Sequence, residues 1–411
     1  MDIATIVLVL AIGGGLLMAF SIGANDAANA MASSVGSKAL SVRQAVLVAG
    51  VLAFLGSVFL GANVAATISR GIINPEQIDD KNILMLGMLA ALLSAGLWVL
   101  LATITGFPVS TTHSIVGSIL GFGLVAGGPE VVQWGTMVAI VLSWIISPFL
   151  GAVLAFVVFT HIRRNILTAQ DFVRSAQLWA PFWMAMTAAL VLFSFFYKMP
   201  LGKSLGWGFS GSLGIIALIA GLIWCVGYWL VGKLFEGVEV GPGSIEALFR
   251  RMEVGTACYL ALSLGANDVA NAVGPVAAIW MIATTGALAP RAEVPILLLV
   301  GGGLGIAVGI MVLGRKVMAT VGERITLLTN TRSFSVEFGA ATTVLAASSL
   351  GMPVSTTHAT VGSVVGVGLA RGFAAVNFRV IGKIVVYWVL TVPIAAFTSI
   401  VIFQLLRWTV L

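Results

Sequence analysis

A polar motif occurs twice in this apolar chain, and it contains the side chains that are best suited to chemistry. It reads GANDAANA at residues 23–30 and GANDVANA at 265–272, which match at seven of eight positions. Its carboxylates and amides are Asp26, Asp268, Asn25, Asn29, Asn267 and Asn271. A carboxylate at the centre of a membrane helix costs about 2.5–3.5 kcal/mol, so its presence indicates a function. We predict that these hard oxygens bind a small cation such as Na⁺ or accept a proton from a substrate.

A second repeated motif supplies hydroxyl groups. It reads PVSTTHSIVGS at 108–118 and PVSTTHATVGS at 353–363, which match at nine of eleven positions. Pro108 and Pro353 are of the type favoured near a helix start, and the hydroxyls after them can cap backbone N–H groups. These hydroxyl residues are Ser110, Thr111, Thr112, Ser355, Thr356 and Thr357. Because a helix N-terminus favours negative charge, we predict that the two starts surround a tetrahedral oxyanion without help from Arg or Lys.

Three further polar residues accompany the motifs. His113 and His358 end the two copies of the second motif, and we predict a supporting or proton-linked role for them rather than direct contact with substrate. Glu337 has no counterpart in the first half, where the equivalent position (337 − 245 = 92) is Leu92. We therefore predict that Glu337 serves a helix start or an ion pair.

The spacing of the motifs indicates an internal duplication. The first motif recurs after 268 − 26 = 242 residues and the second after 353 − 108 = 245 residues. This divides the chain into a first repeat at 1–160, connecting helices at 161–249 and a second repeat at 250–411. Seven predicted crossings separate equivalent helices, and this odd number inverts the second repeat. Either motif alone would fit a polar network that only joins helices, whereas inverted repeats with half helices that meet at the midplane are typical of secondary transporters.

The composition predicts an all-α membrane protein. Of the 411 residues, 59% are hydrophobic and 9% are charged, against about 25% charged in soluble domains. Stretches of about 20 apolar residues cross a bilayer, and we predict about twelve transmembrane segments. They lie at 4–34, 44–69, 82–104, 107–127, 134–160, 178–197, 208–232, 253–280, 294–314, 335–350, 353–370 and 384–407. Gly, Asn and Asp favour turns over helix, so we expect two of these segments to be broken near residues 23 and 265.

The basic residues indicate the orientation. An N-terminus outside the cell places fifteen of the 21 Lys and Arg residues in cytoplasmic loops, which favours both termini outside. Because these residues are scattered over short loops, nucleic acid is not a predicted partner. Cys225 and Cys258 lie in apolar runs, and we predict buried packing residues without a disulfide. The sequence shows no nucleophile–base pair, phosphate-binding loop or metal-ligand cluster, which disfavours an enzyme.

The paired motifs resemble those of the inorganic phosphate transporter (PiT) family of cation–phosphate symporters, over both halves of the chain. The resemblance implies an inverted-repeat membrane fold, uptake of inorganic phosphate driven by Na⁺ or H⁺, and a homodimer in the cell (inner or plasma) membrane. It also implies that Asn25, Asp26, Asn267 and Asp268 help form the cation and phosphate sites, with Ser110–Thr112 and Ser355–Thr357 around the anion. The long central loop of eukaryotic members is missing at 161–177 and 233–252, which indicates a compact prokaryotic member.

We expect two Na⁺ ions, one beside each motif carboxylate. The predicted sodium set is Asn25, Asp26, Asn267, Asp268, Ala24, Ala266, Ser110 and Ser355, in which helix unwinding frees the backbone carbonyls. The predicted phosphate set is the six hydroxyl residues with Asp26 and Asp268, supported by Asn29 and Asn271.

Several alternatives to sodium–phosphate symport stay open. Phosphate near neutral pH keeps a proton and can donate a hydrogen bond to a carboxylate, whereas sulfate would be repelled unless cations neutralise the carboxylates. A sulfate permease on the same fold therefore remains an alternative, as does proton or metal coupling. A phosphate channel or exporter, and a receptor without transport, are the other classes.

Overall fold

The computed structural model describes residues 2–78, 80–106, 109–198, 208–286, 294–321 and 328–410. These residues form thirteen α-helices and no β-strand. The helices are α1 (Ile3–Gly36), α2 (Val42–Leu60), α3 (Ala62–Arg70), α4 (Lys81–Thr105), α5 (Thr111–Gly127), α6 (Trp134–Ile162), α7 (Phe172–Lys198), α8 (Gly208–Phe235), α9 (Pro242–Thr285), α10 (Ile296–Val321), α11 (Asn330–Ser349), α12 (Thr356–Arg371) and α13 (Phe378–Val410). The prediction of an all-α protein is confirmed.

Eight of the helical stretches in the described residues are long and apolar enough to cross a membrane. They belong to α1, α2, α4, α6, α7, α8, α10 and α13. Helices suit this role because each backbone polar group is paired within its own segment. The predicted segment at 44–69 is divided at Gly61 into α2 and α3. The count of twelve crossings remains a prediction, while the multi-pass character is clear.

The predicted break in the first polar motif is wrong. α1 runs without interruption from Ile3 to Gly36, and α9 does so from Pro242 to Thr285. The glycines of the motif serve close packing instead of a turn. A Cβ added at Gly23 would lie 2.0 Å from the Ile306 carbonyl oxygen, and one at Gly265 would lie 1.9 Å from that of Ala53. Small residues that let two backbones approach are common at helix contacts in membranes.

The second motif does begin helices, as predicted. α4 ends before Gly106, which has φ 77°, and α5 begins after Ser110, whose side chain accepts a hydrogen bond from the His113 N–H. In the second half, Ser355 accepts from the His358 N–H in the same way and starts α12. Pro108 lies outside the described residues. Both serines are therefore N-caps of short buried helices.

The helix pairs of one half recur in the other with the halves exchanged. α1 packs on α4 and α10, as α9 packs on α11 and α2, and α5 packs on α13 as α12 packs on α6. Glycines mark these contacts. A Cβ at Gly121 would lie 2.4 Å from the Ala396 carbonyl oxygen, and one at Gly366 would lie 2.1 Å from that of Ala152. α1 and α9, which carry the two carboxylates, also pack on each other and form the centre of the molecule.

The helix α8 has little protein around it. In its apolar window only 11% of residues are buried, the smallest share among the eight candidate spans. Cys225 on this helix is exposed and Cys258 on α9 is half-buried, so the prediction that both are buried is wrong. Both thiols are free, as expected. An apolar sequence does not determine whether a thiol is buried, because burial depends on which helices pack beside it.

Candidate substrate and cation site

The Asp26 carboxylate joins the starts of both short helices. Asn29, one turn further along α1, donates a hydrogen bond of 2.8 Å to Asp26 Oδ1 and is 2.8 Å from Thr357 Oγ1 at the start of α12. The Thr111 hydroxyl at the start of α5 donates to Asp26 Oδ2 at 3.1 Å. One carboxylate is thus connected to hydroxyls that are separated by more than 240 positions in the chain.

The second copy of the site is similar but less tightly closed. Asn271 Nδ2 lies 3.3 Å from Thr112 Oγ1 and 3.5 Å from Asp268 Oδ1. Thr356 neighbours Asp268 as Thr111 neighbours Asp26. Asp268 Oδ2, Asn267 Oδ1 and Asn271 Oδ1 are buried and have no hydrogen-bond partner among the described residues. A buried polar atom without a partner is costly, so these three oxygens are the best candidates to hold a ligand.

The two helix starts also hold each other. The Thr112 hydroxyl donates to the Val354 carbonyl at 3.0 Å, and the Thr357 hydroxyl donates to the Val109 carbonyl at 3.4 Å. Each helix start therefore bonds to the residue that precedes the N-cap serine of the other helix. The structure confirms that the two starts face each other, as the hydroxyl pattern predicted.

The amides next to the carboxylates are held by residues that the sequence did not single out. Asn25 Nδ2 donates to Thr103 Oγ1 at 3.0 Å, and Asn267 Nδ2 donates to Ser348 Oγ at 2.9 Å. Thr103 is in the last turn of α4 and Ser348 in the last turn of α11, and their spacing is 348 − 103 = 245. That spacing equals the offset of the second motif, and it could have identified Thr103 and Ser348 as equivalent residues of the two halves.

The two histidines lie in a reciprocal arrangement with two tryptophans. His113 Nδ1 is 3.0 Å from the Trp388 carbonyl oxygen, and its ring centroid is 3.8 Å from that of Trp144. His358 Nδ1 is 3.0 Å from the Trp144 carbonyl oxygen, and its ring lies 3.6 Å from that of Trp388. The two imidazoles are 4.6 Å apart. These contacts join α5 to α13 and α12 to α6, and the supporting role of the histidines stays a prediction. The two tryptophans are 388 − 144 = 244 residues apart, close to the offsets of the motifs, and this spacing could have identified them as an equivalent pair.

The site concentrates negative charge in a buried place. Asp26 and Asp268 are both 0% exposed and are close enough to repel each other. In the described part of the chain, no Lys or Arg pairs with either carboxylate. An ionised carboxylate that is buried without a cation is strongly disfavoured. The arrangement therefore requires a bound cation or a proton, and the surrounding oxygens can hold either.

Glu337 corrects a prediction, because it does not lie at a helix start and forms no ion pair with the described residues. It is the eighth residue of α11 and is completely buried. Its Oε1 accepts hydrogen bonds from Ser33 at 2.7 Å and Ser34 at 2.5 Å, and its Oε2 accepts from Thr256 at 2.7 Å. These donors lie on α1 and α9, beyond the carboxylate motifs. Glu337 thus joins three helices through hydroxyls.

A second buried carboxylate, Glu253, lies next to this cluster and was missed by the sequence reasoning. Its Oε1 accepts from Ser37 at 2.6 Å, and Glu337 is near enough to act on it electrostatically. Glu253 stands 15 residues before Asp268 (268 − 253 = 15) on the same helix. An acidic residue within the same apolar helix as Asp268 was the signal available.

Comparison with known proteins identifies the family. The profile of the phosphate transporter family matches residues 22–399, which include both copies of both motifs. This chain belongs to the phosphate transporter family. The transporter is accordingly a multi-pass membrane protein and not an enzyme. The resemblance inferred from the motifs is confirmed.

The transporter is similar to relatives over nearly its whole length. A protein of Pyrococcus abyssi, provisionally named phosphate permease, is 48% identical over 392 residues, 95% of this chain and 96% of the relative. Inorganic phosphate transporter 2-1, chloroplastic, of Arabidopsis thaliana is 39% identical over 415 residues, 94% of this chain and 70% of the relative. A solved structure described as the sodium-dependent phosphate transporter is 45% identical, with a TM-score of 0.93 over 98% of this chain and 99% of that chain.

Proposed function

We propose that this transporter takes up inorganic phosphate by symport with Na⁺. The observation that carries the proposal is the bonding of Asp26 to both helix starts, through Thr111 on one side and Asn29 with Thr357 on the other. Any cation that binds the carboxylate also acts on the anion-binding hydroxyls. The sodium dependence in the name of the solved relative supports Na⁺ as that cation.

Phosphate binds, in this proposal, between the N-termini of α5 and α12. The six hydroxyls of Ser110, Thr111, Thr112, Ser355, Thr356 and Thr357 and the free N–H groups of two helix starts supply donors. A carboxylate accepts a hydrogen bond from the proton that phosphate keeps near neutral pH. Sulfate offers no such proton, so the two carboxylates favour phosphate.

Two Na⁺ ions bind near Asp26 and Asp268, one for each repeat. Because α1 and α9 are unbroken, side-chain oxygens of the carboxylates, Asn25, Asn267 and the N-cap serines provide the ligands. Ala24 and Ala266 then contribute only the second lone pair of a carbonyl that already accepts a helical hydrogen bond. The unpartnered oxygens of Asn267 and Asp268 support the second site.

The coupling follows from electrostatics. Without cations, two buried carboxylates and a phosphate anion repel one another in a medium of low dielectric constant. Two Na⁺ ions cancel the carboxylate charge and allow the helix starts to hold the anion. By thermodynamic linkage, phosphate must raise the affinity for Na⁺ by the same factor as Na⁺ raises the affinity for phosphate.

The exchange of helix partners between the halves supports two inverted repeats, 1–160 and 250–411, joined by helices at 161–249. We place both termini outside the cell (inner or plasma) membrane, where the distribution of Lys and Arg favours them. A homodimer is the proposed assembly. Single cysteines introduced near each terminus check the orientation. A thiol reagent that does not cross the membrane should label them in intact cells.

Uptake of radiolabelled phosphate into proteoliposomes tests the function. The purified protein receives an inward Na⁺ gradient, then an inward H⁺ gradient with choline in place of Na⁺, with sulfate as competitor. Uptake that requires Na⁺ and ignores sulfate is expected. Uptake with H⁺ alone would favour proton coupling, and transport of sulfate in place of phosphate would overturn the substrate.

The site assignment needs matched variants. Asp26→Asn and Asp268→Asn should each lower sodium-driven uptake at least tenfold, because the neutral amide no longer attracts the cation. Asp171→Asn is the control, since Asp171 is exposed before α7 and its side chain accepts a hydrogen bond only from the Arg174 N–H in the described residues. Normal uptake by both site variants would refute the assignment.

A further inference from the structure

We propose that the groove between α7, α8 and α9 binds an anionic phospholipid, with an acyl chain between the helices and the phosphate headgroup at Lys233 and Arg251. The groove has a volume of about 730 Å³. It lies outside the carboxylate site, and the proposal does not depend on sodium coupling.

The walls of the groove suit an acyl chain. α7 and α8 pack closely, and a Cβ on Gly227 would lie 2.7 Å from Pro181 Cβ. Apolar side chains of all three helices line the groove beside this contact. Leu222 and Leu230 line it and are 63% and 52% exposed, respectively. Apolar surface of this kind on a membrane helix is covered by lipid.

The cations lie where the headgroup of such a lipid would be. Lys233 is near the end of α8 and Arg251 is in the third turn of α9, and the short connection 236–241 places them at the same side of the membrane. The Lys233 ammonium is 4.0 Å from the ring centroid of Trp229, and both cations line the groove and are exposed. No acidic side chain of the described residues forms an ion pair with either one.

The acidic groups nearby do not compensate these charges inside the groove. Glu236 and Glu239 are exposed in the connection and do not line it. Glu246 on α9 is occupied by Thr329 and Thr331. Basic pockets between transmembrane helices on the cytoplasmic side bind anionic headgroups, and long cationic side chains extend towards the interface.

A lipid fits the groove better than a second copy of the chain or free phosphate. Free phosphate would use the two cations but leave the apolar walls uncovered. A second copy would cover the walls, but a two-fold contact through this groove would bring Lys233 and Arg251 of both copies together, and no acidic residue lines the groove to offset them. An anionic phospholipid satisfies both parts at once.

Native mass spectrometry of the purified protein tests the proposal. The protein is titrated with phosphatidylglycerol or with phosphatidylcholine of the same acyl chains. We expect tighter binding of phosphatidylglycerol. The double variant Lys233→Gln with Arg251→Gln should bind it about 30-fold more weakly, or about fivefold per cation. Arg250→Gln is the control, because Arg250 is exposed and adjacent in sequence but does not line the groove.

A second variant tests the apolar part. Val226→Trp fills the groove without any change of charge and should reduce retention of both lipids, while elution in size-exclusion chromatography shows that the variant is folded. Equal binding of both lipids by the unmodified protein would overturn the proposal. Displacement of phosphatidylglycerol by an equal concentration of inorganic phosphate would also overturn it. So would a lipid-free protein that is dimeric when unmodified and monomeric in the double variant, because the groove would then be an interface between two copies of the chain.

Discussion

The contact between α10 and α1 allows a stability prediction with a built-in control. A Cβ on Gly309 would lie 2.0 Å from the Phe20 carbonyl oxygen and 3.0 Å from the Ala24 nitrogen. Real Cβ atoms do not approach heavy atoms closer than 3.0 Å, so Gly309→Ala must move the helices apart by about 1 Å (3.0 − 2.0). Overpacking costs about 1–3 kcal/mol, and the upper end applies because a backbone carbonyl cannot rotate aside. Alanine regains about 1 kcal/mol of helix propensity, which leaves a net loss of about 2 kcal/mol.

The matched control is Gly301→Ala on the same helix. A Cβ on Gly301 meets nothing within 4 Å, so this variant should be unchanged or more stable by up to about 1 kcal/mol. Thermal unfolding of both variants in detergent, followed by tryptophan fluorescence, makes the comparison. Since Ala24 belongs to the carboxylate motif, Gly309→Ala should also slow uptake at temperatures where it is folded. Equal melting temperatures for the two variants would refute the reasoning.

Three further predictions concern the polar contacts. Ser110→Ala and Ser355→Ala each remove an N-cap, should cost about 0.5–2 kcal/mol in thermal unfolding, and should weaken phosphate binding measured by calorimetry. Glu337→Gln leaves one of its three hydroxyl donors without an acceptor and should cost about 1–3 kcal/mol, whereas an unchanged melting temperature would contradict the bonding described. Asn29→Asp places a second carboxylate beside Asp26 in place of a donor and should lower phosphate uptake at least tenfold at equal protein levels, with normal uptake as the contrary result.

The local parts of the site could be predicted from the sequence. The N-caps Ser110 and Ser355 were found because capping depends on a few adjacent residues. The meeting of the two helix starts was also predicted, because the duplication pairs them. The residues that hold the site from a distance were missed. Trp144 and Trp388 act through backbone carbonyls and ring faces, and no local pattern marks a carbonyl as an acceptor.

The glycines show why the helix break was predicted wrongly. Gly23 is compatible with a turn and with a close helix contact, and its neighbours in the sequence do not distinguish the two. The contact was decided by Ile306 on α10, 283 residues away (306 − 23 = 283). Glu337 is similar, because its hydroxyl donors come from Ser33, Ser34 and Thr256 on two other helices.

The sequence by itself determined the membrane class, the duplication, the family motifs and the capped starts of α5 and α12. These properties follow from composition, repetition and interactions between near neighbours in the chain. Only the tertiary structure decided that α1 and α9 stay helical through their carboxylates, and which hydroxyls reach Asp26 and Glu337. Those outcomes depend on which backbones come into contact, and such contacts join residues hundreds of positions apart.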